Sequence, residues 1–180
     1  FQSLVIGFSF TMFLTRLDSR IIEANASSEY LSPRGRVTMT YLNQVGQGTK
    51  QDNKKAVQLY EQAGTQGYPL ANYVLAQNYA TGGLGLSRDE KKSRSFLEKA
   101  AKQGLDDATV ELAVILFAEG KDASDKQALA KLDPLIKKGS YPAIHAKALY
   151  DISTGFKTKN EAPIKKGLAS IQDLGKKGYI

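Results

Sequence analysis

Few residues of this chain can do chemistry, and their spacing argues against most of it. The 180 residues contain no Cys and one His, His145. Thiolate catalysis, a disulfide framework and a cysteine or multi-histidine metal site within one chain are therefore excluded. His145 lies in "AIHAKALY", a helical pattern, and reads as a partly buried or groove-facing helix residue and not as a base. Asp106 and Asp107 are adjacent carboxylates directly before a helical run. Capping of that helix explains them, whereas general acid–base work needs a cleft that nothing in the sequence predicts. "TGGLGLS" (81–87) is glycine-rich but follows a helical pattern instead of a strand, so it reads as a hairpin turn and not a phosphate loop. No G-x-S-x-G elbow occurs. The expectation is a protein that is not an enzyme and needs no cofactor.

The elements behind these residues show in a repeated sentence. "YEQAGTQGYPLANY" (60–73) and "LEKAAKQGLDDATV" (97–110) share Glu, Ala, Gln and Gly at matching places, followed by a fresh Ala. Glycines after a Lys/Gln-rich turn fall at 67, 104, 139 and 178, spaced by 37, 35 and 39 residues. A repeated period in the mid-thirties marks a solenoid of helical hairpins. The three- and four-residue steps of apolar side chains predict helices near 36–45, 53–66, 70–80, 88–103, 107–118, 125–138, 142–153 and 161–177. Leu70, Ala71, Val74, Leu75 and Tyr79 form one such face, and Phe96, Leu97, Ala100 and Ala101 another. "GQGTKQD", "TGGLGLS", "EGKDAS" and "TGFKTKN" are the expected hairpin turns. Ala71, Ala76, Ala100, Ala101, Ala108, Ala113, Ala143 and Ala148 are small residues placed for close helix crossings. Pro134 falls inside a predicted helix, where it should kink the chain, and Pro163 fits only within a first turn. The competing reading is a helical bundle with coincidental spacing.

Residues Ala71, Leu75, Ala76, Tyr79, Gly82, Asp89, Lys92, Phe96, Lys99, Ala100, Ala101, Gln103 and Gly104 follow a pattern that resembles the Sel-one-like repeat, a relative of the tetratricopeptide repeat. Gly46, Gly48, Asp52, Lys55, Ala56, Tyr60, Ala63, Gln66 and Gly67 keep it in the preceding unit, and the two later units are degenerate. The resemblance implies an all-α fold. The form expected is a right-handed α/α superhelix of about four helical-hairpin repeats, near 31–67, 68–104, 105–139 and 140–178, preceded by an apolar amino-terminal helix. It also implies an adaptor that binds protein partners, with the first helix of each repeat lining a concave face. That register names Val37, Tyr41 and Gln44, then Tyr73, Gln77 and Ala80, then Val110, Val114 and Phe117, then His145, Leu149 and Ile152.

Net charge is +7, yet no compact Arg and aromatic patch accompanies it. A solvated helical surface is preferred over nucleic-acid binding, since two of the Lys–Lys pairs directly precede a helix-ending glycine and complement the macrodipole. The first 27 residues differ in composition. Phe1 to Leu14 carry no charge, and Phe1, Leu4, Val5, Ile6, Phe8, Phe10, Met12, Phe13 and Leu14 point around the whole of a helix. Fourteen residues fall short of the ~20 that a membrane span needs. A membrane or envelope anchor, a helix buried in this protein or a partner, and a pilin-like assembly segment are the readings kept. A signal peptide has Ala24-Asn25-Ala26 in its favour, but no basic residue precedes the apolar run. The start at Phe suggests a fragment or a processed protein. It resembles a type IV pilin, a family that usually carries Glu where this sequence has Val5. The expected function is thus a protein-interaction scaffold of the bacterial cell envelope, periplasmic or membrane-anchored. The alternative is a subunit of an extracellular pilin-like filament that self-assembles through the amino-terminal helix.

Overall fold

The structure, a computed structural model, describes residues 52–179. The segment 1–27, the first predicted helix at 36–45 and the turn at 46–51 lie outside the described residues. Seven α-helices follow: α1 (Asn53–Thr65), α2 (Pro69–Thr81), α3 (Glu90–Lys102), α4 (Asp106–Ala118), α5 (Asp122–Lys137), α6 (Tyr141–Thr158) and α7 (Glu161–Lys176). One 3-10 turn, Gly83–Gly85, joins α2 to α3, and there is no strand among the described residues.

The helix ends explain the period. Asp52 and Asp89 cap α1 and α3, accepting from the backbone N–H groups of Lys55 at 3.0 Å and Lys92 at 2.9 Å. At the other end of α3, Gly104 has a φ of 91° and its N–H bonds to the Ala101 carbonyl. The Leu105 N–H reaches back to the Ala100 carbonyl at 3.1 Å, completing a Schellman closure. A Cβ on Gly104 would touch nothing within 4 Å, so it is the left-handed backbone and not space that favours glycine. The same pair of bonds closes α1 at Gly67, α5 at Gly139 and α7 at Gly178. Each repeat thus ends with one reversal that sends the chain into the next.

Within a repeat, α2 packs on α3, α4 on α5 and α6 on α7; across repeats α1 meets α2, α3 meets α4, and α5 meets α6. Each core cluster straddles a repeat boundary. Tyr60 and Ala63 meet Ala71 and Leu75; Leu97 and Ala100 meet Ala108 and Leu112; Leu132 and Leu135 meet Ala143 and Ala146. Burying each such leucine contributes roughly 1.5–3 kcal/mol. Contacts between neighbours alone make the stack quasi-one-dimensional.

Several expectations need correction. Leu70 is exposed and does not join the inward face of α2. Asp106 and Asp107 do not cap α4, whose N-cap is Leu105; they lie in its first turn, where their charge faces the positive end of the helix. The turn expected over 119–124 is shorter, because α5 begins at Asp122, and buried Ser124 donates to Glu119. Pro134 does not end α5, which runs on to Lys137; the proline is exposed, so water can serve the carbonyl it leaves unpaired. Pro163 lies in the first turn of α7, as required. "TGFKTKN" is mostly helix, since α6 continues to Thr158. Its Gly155 is not a turn residue. It is buried, and an added Cβ would come within 2.5 Å of Ile164 Cγ1 and 2.8 Å of the Asn160 carbonyl. Glycine there makes room for α7.

Candidate functional site

No described helix is long and apolar enough to cross a membrane, and among the described residues no group of three or more His, Cys, Asp or Glu could hold a metal ion. The surface to judge is therefore that of the first helices, α2, α4 and α6.

At the α2 end, Gln77 and Ala80 line a shallow depression of about 420 Å³ together with Asn78, Thr81 and Glu111 of α4. Tyr73 packs against the second core cluster. Burial, and then the Glu111 carboxylate beside it, push its hydroxyl up to about 12, with Asp107 adding to the effect and Gln77 opposing it. Tyr73, Gln77 and Ala80 are therefore brought together, with Glu111 as a fourth member that the register did not name.

Between α4 and α6 lies a cleft of about 350 Å³. Val114 and Leu149, one from each helix, line it and are each 50% exposed. Phe117 stacks on Tyr150 with ring centroids 4.2 Å apart and planes 19° from parallel. The Tyr150 hydroxyl donates to Asp125 Oδ2 at 3.1 Å. Burial, and then that carboxylate, raise the tyrosine above its ordinary range, while Thr154 opposes the shift. Ala118 and Ala146 supply small walls, and Ser153, Thr154 and Lys157 complete the lining. Val114, Phe117 and Leu149 are thus brought together in one cleft.

Three residues of the predicted set do other work. Val110 packs against the third core cluster. Ile152 lies against Gly167 of α7, where its Cγ1 is 2.6 Å from the place a Cβ would occupy, so it serves the α6/α7 contact. His145 meets the Tyr179 ring edge-on at 6.0 Å. Val37, Tyr41 and Gln44 lie outside the described residues, as do Phe1 to Leu14. The sequence reading missed Tyr150, Asp125 and Lys157. Ala146, Tyr150, Thr154 and Lys157 follow each other at three- and four-residue steps on α6, a stripe one position aside from the tetratricopeptide register.

The fold is that of a helical-repeat protein whose units each consist of two antiparallel helices. Residues 35–68 and 69–105, two adjacent segments, each match the model of the Sel1 repeat. No curated protein gives a significant match. Several solved structures are similar, two of them crystal structures of repeat proteins. One is a Sel1 repeat protein from Oxalobacter formigenes, with a TM-score of 0.63 at 21% identity, covering 82% of this chain and 59% of that one. The other is a protective antigen of uropathogenic Escherichia coli strains that displays an SLR fold, with a TM-score of 0.60 at 23% identity, covering 71% of this chain and 27% of that one. Both likenesses establish the shared fold. This chain spans less than two thirds of either protein. Sel1 repeats are in general modules of protein–protein interaction.

Proposed function

We propose that the chain is a non-enzymatic scaffold of the bacterial cell envelope that binds an extended partner along the first helices of its repeats. Stacked hairpins turn those helices toward one continuous surface, and affinity accumulates from repeat to repeat. The observation that carries the reading is the pair Val114 and Leu149. Both are apolar, both are half exposed, and they line one cleft from successive first helices. A monomer gains nothing by leaving such a pair in water, whereas a partner that covers it gains the burial. The uncharged run from Phe1 to Leu14 supports an envelope location.

Site-specific photo-crosslinking in a bacterium expressing the full chain tests this reading. A photoreactive residue at 114 or 149 is expected to trap a discrete protein partner. The same residue at Gln127, exposed on the second helix α5, is expected to trap none. Equal crosslinking from all three positions, or none from 114 and 149, would sink the proposal.

A further inference from the structure

The α4/α6 cleft has a charge left over. Lys137, Lys147, Lys165 and Lys177 each pair with an acid four residues away on their own helix. Lys157 does not. It lines the cleft, and its ammonium has no partner among the described residues. The acid four residues ahead of it, Glu161, is held instead by Lys165 at 2.8 Å. The other carboxylate of the cleft, Asp125, accepts the Tyr150 hydroxyl with Oδ2, while Oδ1 is closed off from solvent. The groups of the lining that a ligand can reach are therefore the apolar walls, two hydroxyl side chains and one cation without an ion-pair partner.

We infer that the occupant of this cleft is an extended peptide segment of a partner protein in which an apolar side chain is closely followed or preceded by Asp or Glu. This inference rests on the binding reading above and specifies the chemistry of its ligand. The apolar side chain enters between Val114 and Leu149, against the Phe117–Tyr150 stack. The carboxylate reaches Lys157. Three features fit this division. A cleft of about 350 Å³ has room for an apolar side chain. The Tyr150–Asp125 hydrogen bond fixes the aromatic wall before a ligand arrives, which lowers the cost of ordering it. Lys157 is the charged group of the cleft still able to take a partner, because Asp125 Oδ2 already accepts from Tyr150 and Oδ1 is enclosed. The apolar anchor supplies most of the affinity, and the charge pair supplies sequence preference and association rate.

The test uses the full chain and a random peptide library displayed on phage. Enriched peptides are synthesised, and their affinities are measured by fluorescence polarisation at two salt concentrations. The expected result is a shared apolar residue flanked by Asp or Glu. Leu149→Glu is expected to weaken these peptides by about tenfold or more. Lys157→Glu is expected to weaken them by about threefold to tenfold, with the smaller loss at high salt. Exchanging the peptide's acid for Lys is expected to restore binding to the Lys157→Glu chain. Leu149 and Lys157 are both exposed, so the helical circular dichroism of both variants should equal the parent's.

Peptides with basic or uncharged flanks that still depend on Leu149 would overturn the carboxylate assignment and leave the binding face standing. Peptides indifferent to Leu149→Glu would overturn both readings. Failure of any peptide to enrich would overturn the ligand class. Should Leu149→Glu lose its helical signal, the charge exchange at Lys157 alone decides, since it leaves the apolar wall untouched.

Discussion

The second and fourth repeats join their two helices with different residues. In the second, alanine makes the crossing: Ala76 and Ala100 are fully or almost fully buried beside Leu97, and Tyr79 of α2 stacks on Phe96 of α3 with ring centroids 5.6 Å apart, while Ala71 and Leu75 pack on α1. In the fourth, Ala143 and Ala148 hold the places of Ala71 and Ala76, but Lys147 and Asp151 hold those of Leu75 and Tyr79. The third repeat has Leu112 and Leu116 there, both buried. An ion pair packs less well than two large apolar groups. The fourth repeat brings its helices together elsewhere, through Gly155 and Gly167. A Cβ at Gly167 would lie 2.6 Å from both the Ala148 carbonyl oxygen and Ile152 Cγ1. One hairpin relies on side chains filling a gap and the other on the lack of side chains closing it. The repeat therefore specifies a geometry that more than one residue set can satisfy.

The largest expected effect breaks the alanine crossing. Ala100 has no exposed surface and packs beside Ala76, Leu97, Ala108 and Leu112. Ala100→Leu should destabilise the chain by about 1–3 kcal/mol through overpacking, at the upper part of that range, since two repeats share the site. Urea denaturation measures it, and an unchanged midpoint would show that the crossing tolerates bulk.

A smaller loss is expected from the glycine crossing. Gly167→Ala places a methyl group against a backbone carbonyl, which cannot rotate away as the tip of a side chain can. Overpacking costs about 1–3 kcal/mol, and about 1 kcal/mol returns through the better helix propensity of alanine. A net loss near 1 kcal/mol in the same denaturation experiment would support the close approach. A gain would show that α7 moves away at little cost.

These two crossings also separate what was legible in the chain from what was not. The alanine positions, the glycine closures and seven helices could be placed because period, small residues and end signals agreed. Gly155 was misplaced into a turn for a physical reason. Glycine has two uses, positive φ and close approach, and a sequence does not say which applies. The cleft was half legible. Val114, Phe117 and Leu149 follow the tetratricopeptide register, but Tyr150 and Lys157 belong to a neighbouring stripe of α6. Asp125 enters from the start of α5, across the hairpin, where no spacing along one helix could have placed it.

A polar tie marks the junction of the first and second repeats and sharpens the contrast further. The Asn72 amide donates to the Gly64 carbonyl at 3.2 Å and to Gln103 Oε1 at 2.8 Å, and Gln103 Nε2 donates to the same carbonyl at 3.0 Å. The glutamine before the closing glycine thus ties the end of α3 back to the end of α1. Lys138 and Lys177 replace that glutamine in the later repeats. Asn72→Ala leaves the Gly64 carbonyl the Gln103 amide and the Gly67 N–H, strips Gln103 of its own donor, and should cost about 1 kcal/mol. A loss unchanged by adding Gln103→Ala would confirm that the two amides act as one unit, and simple additivity of the two losses would sink that idea.

The smallest expected effect concerns the ion pair itself. Lys147 Nζ lies 2.8 Å from Asp151 Oδ1 and 2.6 Å from Oδ2, with the side chains 30% and 15% exposed. Partial exposure limits both the Coulomb gain and the desolvation cost, so the pair should contribute little net stability. Exchanging both residues for leucine restores the apolar pattern of the third repeat and should leave stability unchanged or raise it by up to ~1 kcal/mol. The single changes are expected to differ. Lys147→Leu strands the less exposed carboxylate without its donor and should cost about 1–2 kcal/mol. Asp151→Leu leaves a lysine whose long stem can carry its ammonium to water, so its cost should be smaller. Denaturation of the parent, the two single variants and the double variant closes the cycle. A double variant less stable than either single one would show that the fourth repeat is built around its charges and is not a worn copy of the third.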